Sequence, residues 1–190
     1  MIPEIMTMPL LQLASGDRLS LQVYKFVGTH PGKKPGKKPG KKPGKKVYIQ
    51  SNLHGAELAG NAVIHQLIEY LRQLDQTAIH GEIWLVPVCN PLGVNQRAHH
   101  FASGRFNAYD GRDWNRIFWD YEKSGADLEA LARSHLHSDP ATICQAYRQQ
   151  IKACFEQKLA ATQKPGGAPV HELMRYQLQS LCLDQHSGQI

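Results

Sequence analysis

The chain has 190 residues, 42% hydrophobic and 20% charged, the balance of a soluble globular protein large enough to bury a core. No apolar run approaches the roughly 20 residues needed to cross a bilayer, and the opening Met-Ile-Pro-Glu-Ile-Met lacks the positive n-region of a signal peptide. The formal net charge of +6 misleads, because residues 31–46 are four copies of Pro-Gly-Lys-Lys holding 8 of the 22 basic residues; without them 14 basic residues face 16 acidic ones, a net of −2.

Residues 10–26 alternate in stretches, with Leu19, Leu21 and Val23 on one side of the pattern and a Gly16-Asp17 turn signal. This predicts a β-hairpin. The Pro-Gly-Lys-Lys arm has no apolar side chain beyond proline and its like charges repel, so it is read as a disordered, solvated loop between two strands. A basic arm can contact phosphate backbones non-specifically. This one has no interleaved aromatic residues and no nucleic-acid-binding fold around it. It reads as an expanded low-complexity insertion, with neither nucleic acid nor a membrane expected as a specific partner.

A strand at 47–52, a helix at 56–74 carrying Leu58, Ala62, Leu67, Ile68 and Leu71, and a strand at 81–89 follow. The last is apolar almost throughout, as suits a parallel strand buried on both faces. Strand, helix and strand with short links make a βαβ unit and an α/β fold. Residues 90–113 are rich in Gly, Asn, Arg and His with little periodicity, the mark of a functional or disordered loop. A helix at 140–161, a Lys-Pro-Gly-Gly-Ala-Pro linker and a last helix at 170–183 complete the reading. Cys89, Cys144, Cys154 and Cys182 show no C-x-x-C spacing and read as reduced thiols of a cytoplasmic protein.

The chemistry concentrates after the 47–52 strand, in His54-Gly55-Ala56-Glu57. His-x-x-Glu supplies two of the three protein ligands of a His/Glu/His catalytic zinc site, whose open position holds a water. Three residues of separation put both side chains on one face at a helix start, at the carboxyl end of a strand, where open α/β sheets gather ligands. A second cluster runs from Asn90-Pro91-Leu92-Gly93 to Asp113-Trp114-Asn115-Arg116-Ile117-Phe118, with Arg97, Arg105 and Arg112 between. Guanidinium forks bind carboxylates bidentately, so a carboxylate-bearing substrate fits. The alternative is a solvated basic loop with Asp113 and Arg116 as a surface pair of small value.

Taken in order, His-Gly-Ala-Glu, Asn-Pro-Leu-Gly and Asp-Trp-Asn-Arg-Ile-Phe resemble the zinc carboxypeptidase superfamily, in particular its succinylglutamate desuccinylase/aspartoacylase branch. The resemblance covers about residues 48–118 well. It implies an α/β fold with a zinc-carboxypeptidase-like mixed sheet flanked by helices. It also implies a zinc-dependent, deacylase-like hydrolase that cleaves an amide bond of an N-acyl amino acid or a peptide C-terminus. His54 and Glu57 would be zinc ligands, Asn115 and Arg116 would bind the substrate carboxylate, and Arg105 would polarise the scissile carbonyl, with Arg97 as its rival. Trp114 stands where the family has Leu, a packing position.

Asp184-Gln185-His186 fits the family's Asp-x-His and makes His186 the candidate third ligand. The family reaches that histidine along a strand, whereas here a helical pattern runs into Asp184, leaving residues 181–183 as a very short strand or the tail as an imitation. No residue after His186 offers the family's general-base Glu. The chain therefore reads as the N-terminal part of a longer enzyme or a truncated product. The competing reading is a catalytically inactive fragment that binds metal or ligand without turnover.

Overall fold

The computed structural model describes residues 1–29, 44–95, 103–120, 127–162 and 170–185, with the side chains of 184 and 185 left aside. Most of the Pro-Gly-Lys-Lys arm, Arg97 and His186 lie outside the described residues. The chain divides into two compact units, Met1–Ile117 and Phe118–Ile190.

The first unit begins with the expected hairpin. Strand β1 (Glu4–Gln12) pairs antiparallel with β2 (Arg18–Val27), and the turn is closed by Leu13 N–H to Asp17 O at 2.8 Å and Gly16 N–H to Leu13 O at 2.9 Å. The register slips between Pro9 and Leu11, at a proline that has no N–H for the ladder, on the edge strand where proline is tolerated. Strand β3 (Lys45–Gln50) and strand β4 (Gly81–Val86) pair in parallel, and β4 also pairs antiparallel with β2, giving a mixed sheet of order β1-β2-β4-β3. Strand β3 starts two residues before the sequence expectation, because Lys45 and Lys46 of the last repeat pair with Gly81 and Glu82. These two lysines are therefore strand and not arm.

Helix α1 (Ala59–Gln73) links β3 to β4 and buries Ile64, Ile68 and Leu71, positions spaced to share one helical face. They pack with Phe26 of β2 and Leu85 of β4 in one apolar cluster, each such side chain contributing about 1.5–3 kcal/mol by leaving water. Strand β4 is buried along nearly its whole length, as its continuous apolar run predicts. After it, where the sequence shows only a polar loop, a short helix α2 (Pro91–Asn95) forms. Its proline opens the first turn, where a missing N–H costs nothing.

The second unit holds α3 (Leu128–Ser134), α4 (Pro140–Thr162) and α5 (Val170–Gln185). Ile151 and Phe155 of α4 and Met174, Leu178 and Leu181 of α5 are buried, and the Trp119 ring lies 4.8 Å from that of Phe155. Asp127 and Asp139 accept backbone N–H groups at the starts of α3 and α4, as N-cap aspartates do. Helix α3, which buries no residue, leaves no apolar stripe for a sequence reading to find. Helix α5 continues through Gln185, so residues 181–183 are helix and not a short strand. No helix among the described residues is long and apolar enough to cross a membrane.

Candidate metal and substrate site

The candidate residues of the first unit gather at the carboxyl ends of β3 and β4. The chain leaves β3 through Asn52, which is buried and has a φ of 57°, a left-handed conformation that asparagine tolerates better than other side-chain-bearing residues. Its Nδ2 donates to Glu57 O at 3.0 Å. Glu57 N–H donates to His54 O at 3.1 Å, closing a turn that brings the two side chains together before α1 begins at Ala59. His54 and Glu57 therefore meet in the turn ahead of the helix, not on its first face.

His54 Nδ1 lies 2.9 Å from Glu57 Oε1, and Nε2 lies 3.1 Å from Asp113 Oδ1. The ring thus has a carboxylate at each nitrogen. Burial acts to lower the His54 pKa, but hydrogen bonds to Glu57 and Asp113 and the charges of both outweigh it and leave the pKa raised. Behind the ring, Asp113 Oδ1 also accepts Asn115 N–H at 2.8 Å, and Oδ2 accepts Arg105 Nε at 3.1 Å. Its pKa is pulled down to about 2, chiefly by the Asn115 N–H against the opposing effect of burial, and further by His54 and Arg105.

Arg105 and Asp113 flank a small hairpin, bridged at Phe106 and Asp113, with Asn107 N–H donating to Arg112 O at 2.8 Å. Asp113 then caps a single 3₁₀ turn, Trp114–Arg116. Trp114 and Ile117 are buried, whereas Asn115 and Arg116 are exposed beside the site. Trp114 is the packing residue its position suggests. The surface pair of Asp113 with Arg116 is replaced by other contacts: Asp113 engages Arg105 and His54, and Arg116 Nη1 donates to Asn115 O. On the other side Asn90 ties the loops together, donating from Nδ2 to Leu53 O and accepting Gly93 N–H at Oδ1, both at 2.8 Å.

Of the six site residues expected from the sequence, His54, Glu57, Arg105, Asn115 and Arg116 stand at this one end of the sheet, and His186 lies outside the described residues. Two further residues of the site carry little local signal. Asp113 is legible only as the first residue of Asp-Trp-Asn-Arg or as half of a surface pair, and Asn52 falls inside the strand expected at 47–52, whereas β3 ends at Gln50.

Among the described residues, no group of three or more His, Cys, Asp or Glu side chains is arranged to hold a metal ion. The donor chemistry of the pair nevertheless fits zinc. Imidazole nitrogen and carboxylate oxygen face each other, and the second ring nitrogen is hydrogen-bonded to a carboxylate, the arrangement that orients metal-binding histidines. His186, the candidate third donor, lies outside the described residues.

The family model for the succinylglutamate desuccinylase/aspartoacylase catalytic domain matches residues 43–151. Among solved structures, a succinylglutamate desuccinylase/aspartoacylase family protein of Shewanella amazonensis SB2B shares 35% identity over 95% of this chain, with a TM-score of 0.72. A protein of Shewanella frigidimarina NCIMB 400 described under the same two activities shares 29% identity over 96% of the chain, with a TM-score of 0.76. No curated protein sequence matches significantly. The fold is the mixed-sheet α/β arrangement expected, and the chain belongs to the succinylglutamate desuccinylase/aspartoacylase family. It spans 44% of the length of each of these two solved relatives.

Proposed function

We propose that the chain provides the zinc-binding and carboxylate-binding part of a hydrolase that cleaves an amide bond of a small carboxylate-bearing substrate, such as an N-acyl amino acid. The observation that carries this reading is the convergence of His54 Nδ1 and Glu57 Oε1, backed by Asp113 at Nε2. Family membership supports the reaction class. His54 and Glu57 would hold the ion through the atoms that now face one another, and His186 is the candidate for a third place.

Zinc in such a site acts as a Lewis acid and lowers the pKa of a bound water. The residues of this chain supply the remainder. With zinc bound, Asp113 would fix the imidazole by accepting a hydrogen bond from Nε2–H, and the Nδ1 lone pair would turn to the metal in place of its present contact with Glu57 Oε1. Arg105 presents a guanidinium, more than half exposed, that can stabilise negative charge developing on a carbonyl oxygen. Asn115 and Arg116 offer an amide and a planar fork to a substrate carboxylate, held outward by the buried Trp114 between Asp113 and themselves.

The test is metal stoichiometry by elemental analysis on the chain and on His54→Ala, together with hydrolysis of a panel of N-acyl amino acids. Zinc near one equivalent is expected in the parent and none in the variant, with turnover expected where the remainder of the hydrolase, including its general base, is present. Stoichiometric zinc retained by His54→Ala sinks the ligand assignment. Zinc without turnover identifies a chain that binds metal but does not hydrolyse.

A further inference from the structure

Three glycines from three separate segments meet under the site. Gly55 lies in the His54–Glu57 turn, Gly93 in α2, and Gly104 directly before Arg105. A methyl group built on Gly55 would collide with the carbonyl of Gly93, and one on Gly104 would collide with that same carbonyl and come within 2.9 Å of Gly55 Cα. One on Gly93 would come within 2.9 Å of Gly104 O and 2.5 Å of Asn90 Nδ2. Each glycine is therefore closed to a side chain by the backbone of another. Gly104 also has a φ of +64°, which glycine alone adopts without cost.

The contact is hydrogen-bonded as well as tight. Gly55 N–H donates to Gly104 O at 3.1 Å and Ala56 N–H to Ser103 O at 2.8 Å. The two ends of this two-bond ladder lead directly to the chemistry: on one strand to His54 and Glu57, on the other to Arg105. The Asn90 side chain, bonded to Leu53 O and Gly93 N–H, locks the third segment against the first.

We propose that Gly55, Gly93 and Gly104 form a positioning junction that sets His54 and Glu57 against Arg105 and Asp113. None of the three would touch substrate. The junction acts by holding two loops at backbone-contact distance, so that the His54–Asp113 hydrogen bond and the Arg105–Asp113 pair close on the same carboxylate. Side chains of any size at these positions separate the loops, and a shift of that kind loosens the atoms that orient a metal-binding imidazole. The consequence for metal binding rests on the zinc reading given above; the junction itself does not.

The test is amide hydrogen exchange by NMR, combined with zinc affinity by chelator competition, on the parent, Gly104→Ala and Gly111→Ala. Gly111 has a similar φ of +70°, but a methyl there meets nothing within 4 Å, so it reports backbone strain without the steric contact. In the parent, the Gly55 and Ala56 amides are expected to exchange as slowly as those of β4. Gly104→Ala is expected to lose that protection and to bind zinc about 10-fold or more weakly, the range seen when the partners of a ligating histidine are disturbed, while β4 stays protected. Gly111→Ala keeps both. Fast exchange of Gly55 and Ala56 in the parent overturns the junction even if Gly104→Ala does not fold. So does equal damage from the two variants, or unchanged protection in Gly104→Ala. A parent that binds no zinc refutes the functional reading and leaves the exchange result to decide the junction.

Discussion

Arg105 holds Asp113 through two nitrogens: Nε and Nη2 each lie 3.1 Å from the same oxygen, Oδ2. The other oxygen, Oδ1, accepts from Asn115 N–H and faces His54 Nε2. One carboxylate thereby connects the candidate metal ligand, the candidate oxyanion-stabilising cation and the turn that presents Asn115 and Arg116. An anion so surrounded by donors stays ionised far below neutral pH, in keeping with its pKa of about 2.

Replacing Asp113 with Asn tests that connection. The amide keeps the size of the side chain but loses the charge and one acceptor, so it can no longer satisfy Arg105 and His54 together. Zinc affinity is expected to fall about 10–100-fold, as when a hydrogen-bonding partner behind a ligating histidine is removed. Chelator competition measures it, and an affinity equal to that of the parent removes Asp113 from the metal site.

Arg105 is expected to behave differently. Its side chain is 53% exposed, and it reaches the imidazole only through Asp113. Arg105→Ala should keep stoichiometric zinc while lowering kcat by about 10²–10³-fold, the cost of deleting one donor to a developing oxyanion. Steady-state kinetics beside metal analysis separates the two effects. Loss of zinc with no selective loss of kcat would make Arg105 a structural partner of Asp113 only.

The contrast between these two residues shows where sequence reading reaches its limit. The hairpin, the βαβ unit and the His54–Glu57 pair are legible because alternation, helical spacing and ligand spacing are local properties of the chain. Asp113 lies 59 positions from His54, and nothing local shows that the two meet; the neighbouring Arg116 is the partner that sequence proximity suggests. Asn52 is hidden for another reason, since its left-handed φ is a property of the backbone and not of composition. Helix α2 leaves no sequence signal because five residues are too few to show a period. The start of β3 at Lys45 is not legible because strand pairing with Gly81 and Glu82 overrides the poor strand propensity of a lysine pair.

The turn after Asp113 divides its residues sharply. Trp114 and Ile117 are buried at 0% and 1% exposure, while Asn115 and Arg116 face solvent. Trp114→Ala should destabilise the fold by about 3–5 kcal/mol, as large-to-small changes of buried aromatic residues do. Arg116→Ala should change stability by no more than about 0.5 kcal/mol and raise KM for a carboxylate-bearing substrate. Urea unfolding of both variants checks the first pair of expectations and kinetics the last. A large stability loss in Arg116→Ala would show that this arginine supports the turn rather than a ligand.

In the second unit, Asp139 gives a pH-dependent test independent of any metal. Its carboxylate accepts the Thr142 hydroxyl at 2.5 Å and the N–H groups of Thr142 and Ala141 at 3.1 and 3.0 Å, and its pKa is lowered first by the Thr142 hydroxyl and then by the Thr142 N–H. A carboxyl group with a folded pKa below its unfolded value of about 3.9 stabilises the fold fully above that unfolded value. The contribution is lost as pH falls through the lower, folded pKa. Asparagine caps helices about as well as aspartate but does not titrate. Asp139→Asn should therefore unfold at nearly the parent's midpoint at pH 7 and lose less stability than the parent as pH falls below about 4. Thermal unfolding of both across that range measures the difference, and parallel curves would mean that the Asp139 carboxyl is no better stabilised in the folded chain than in the unfolded one.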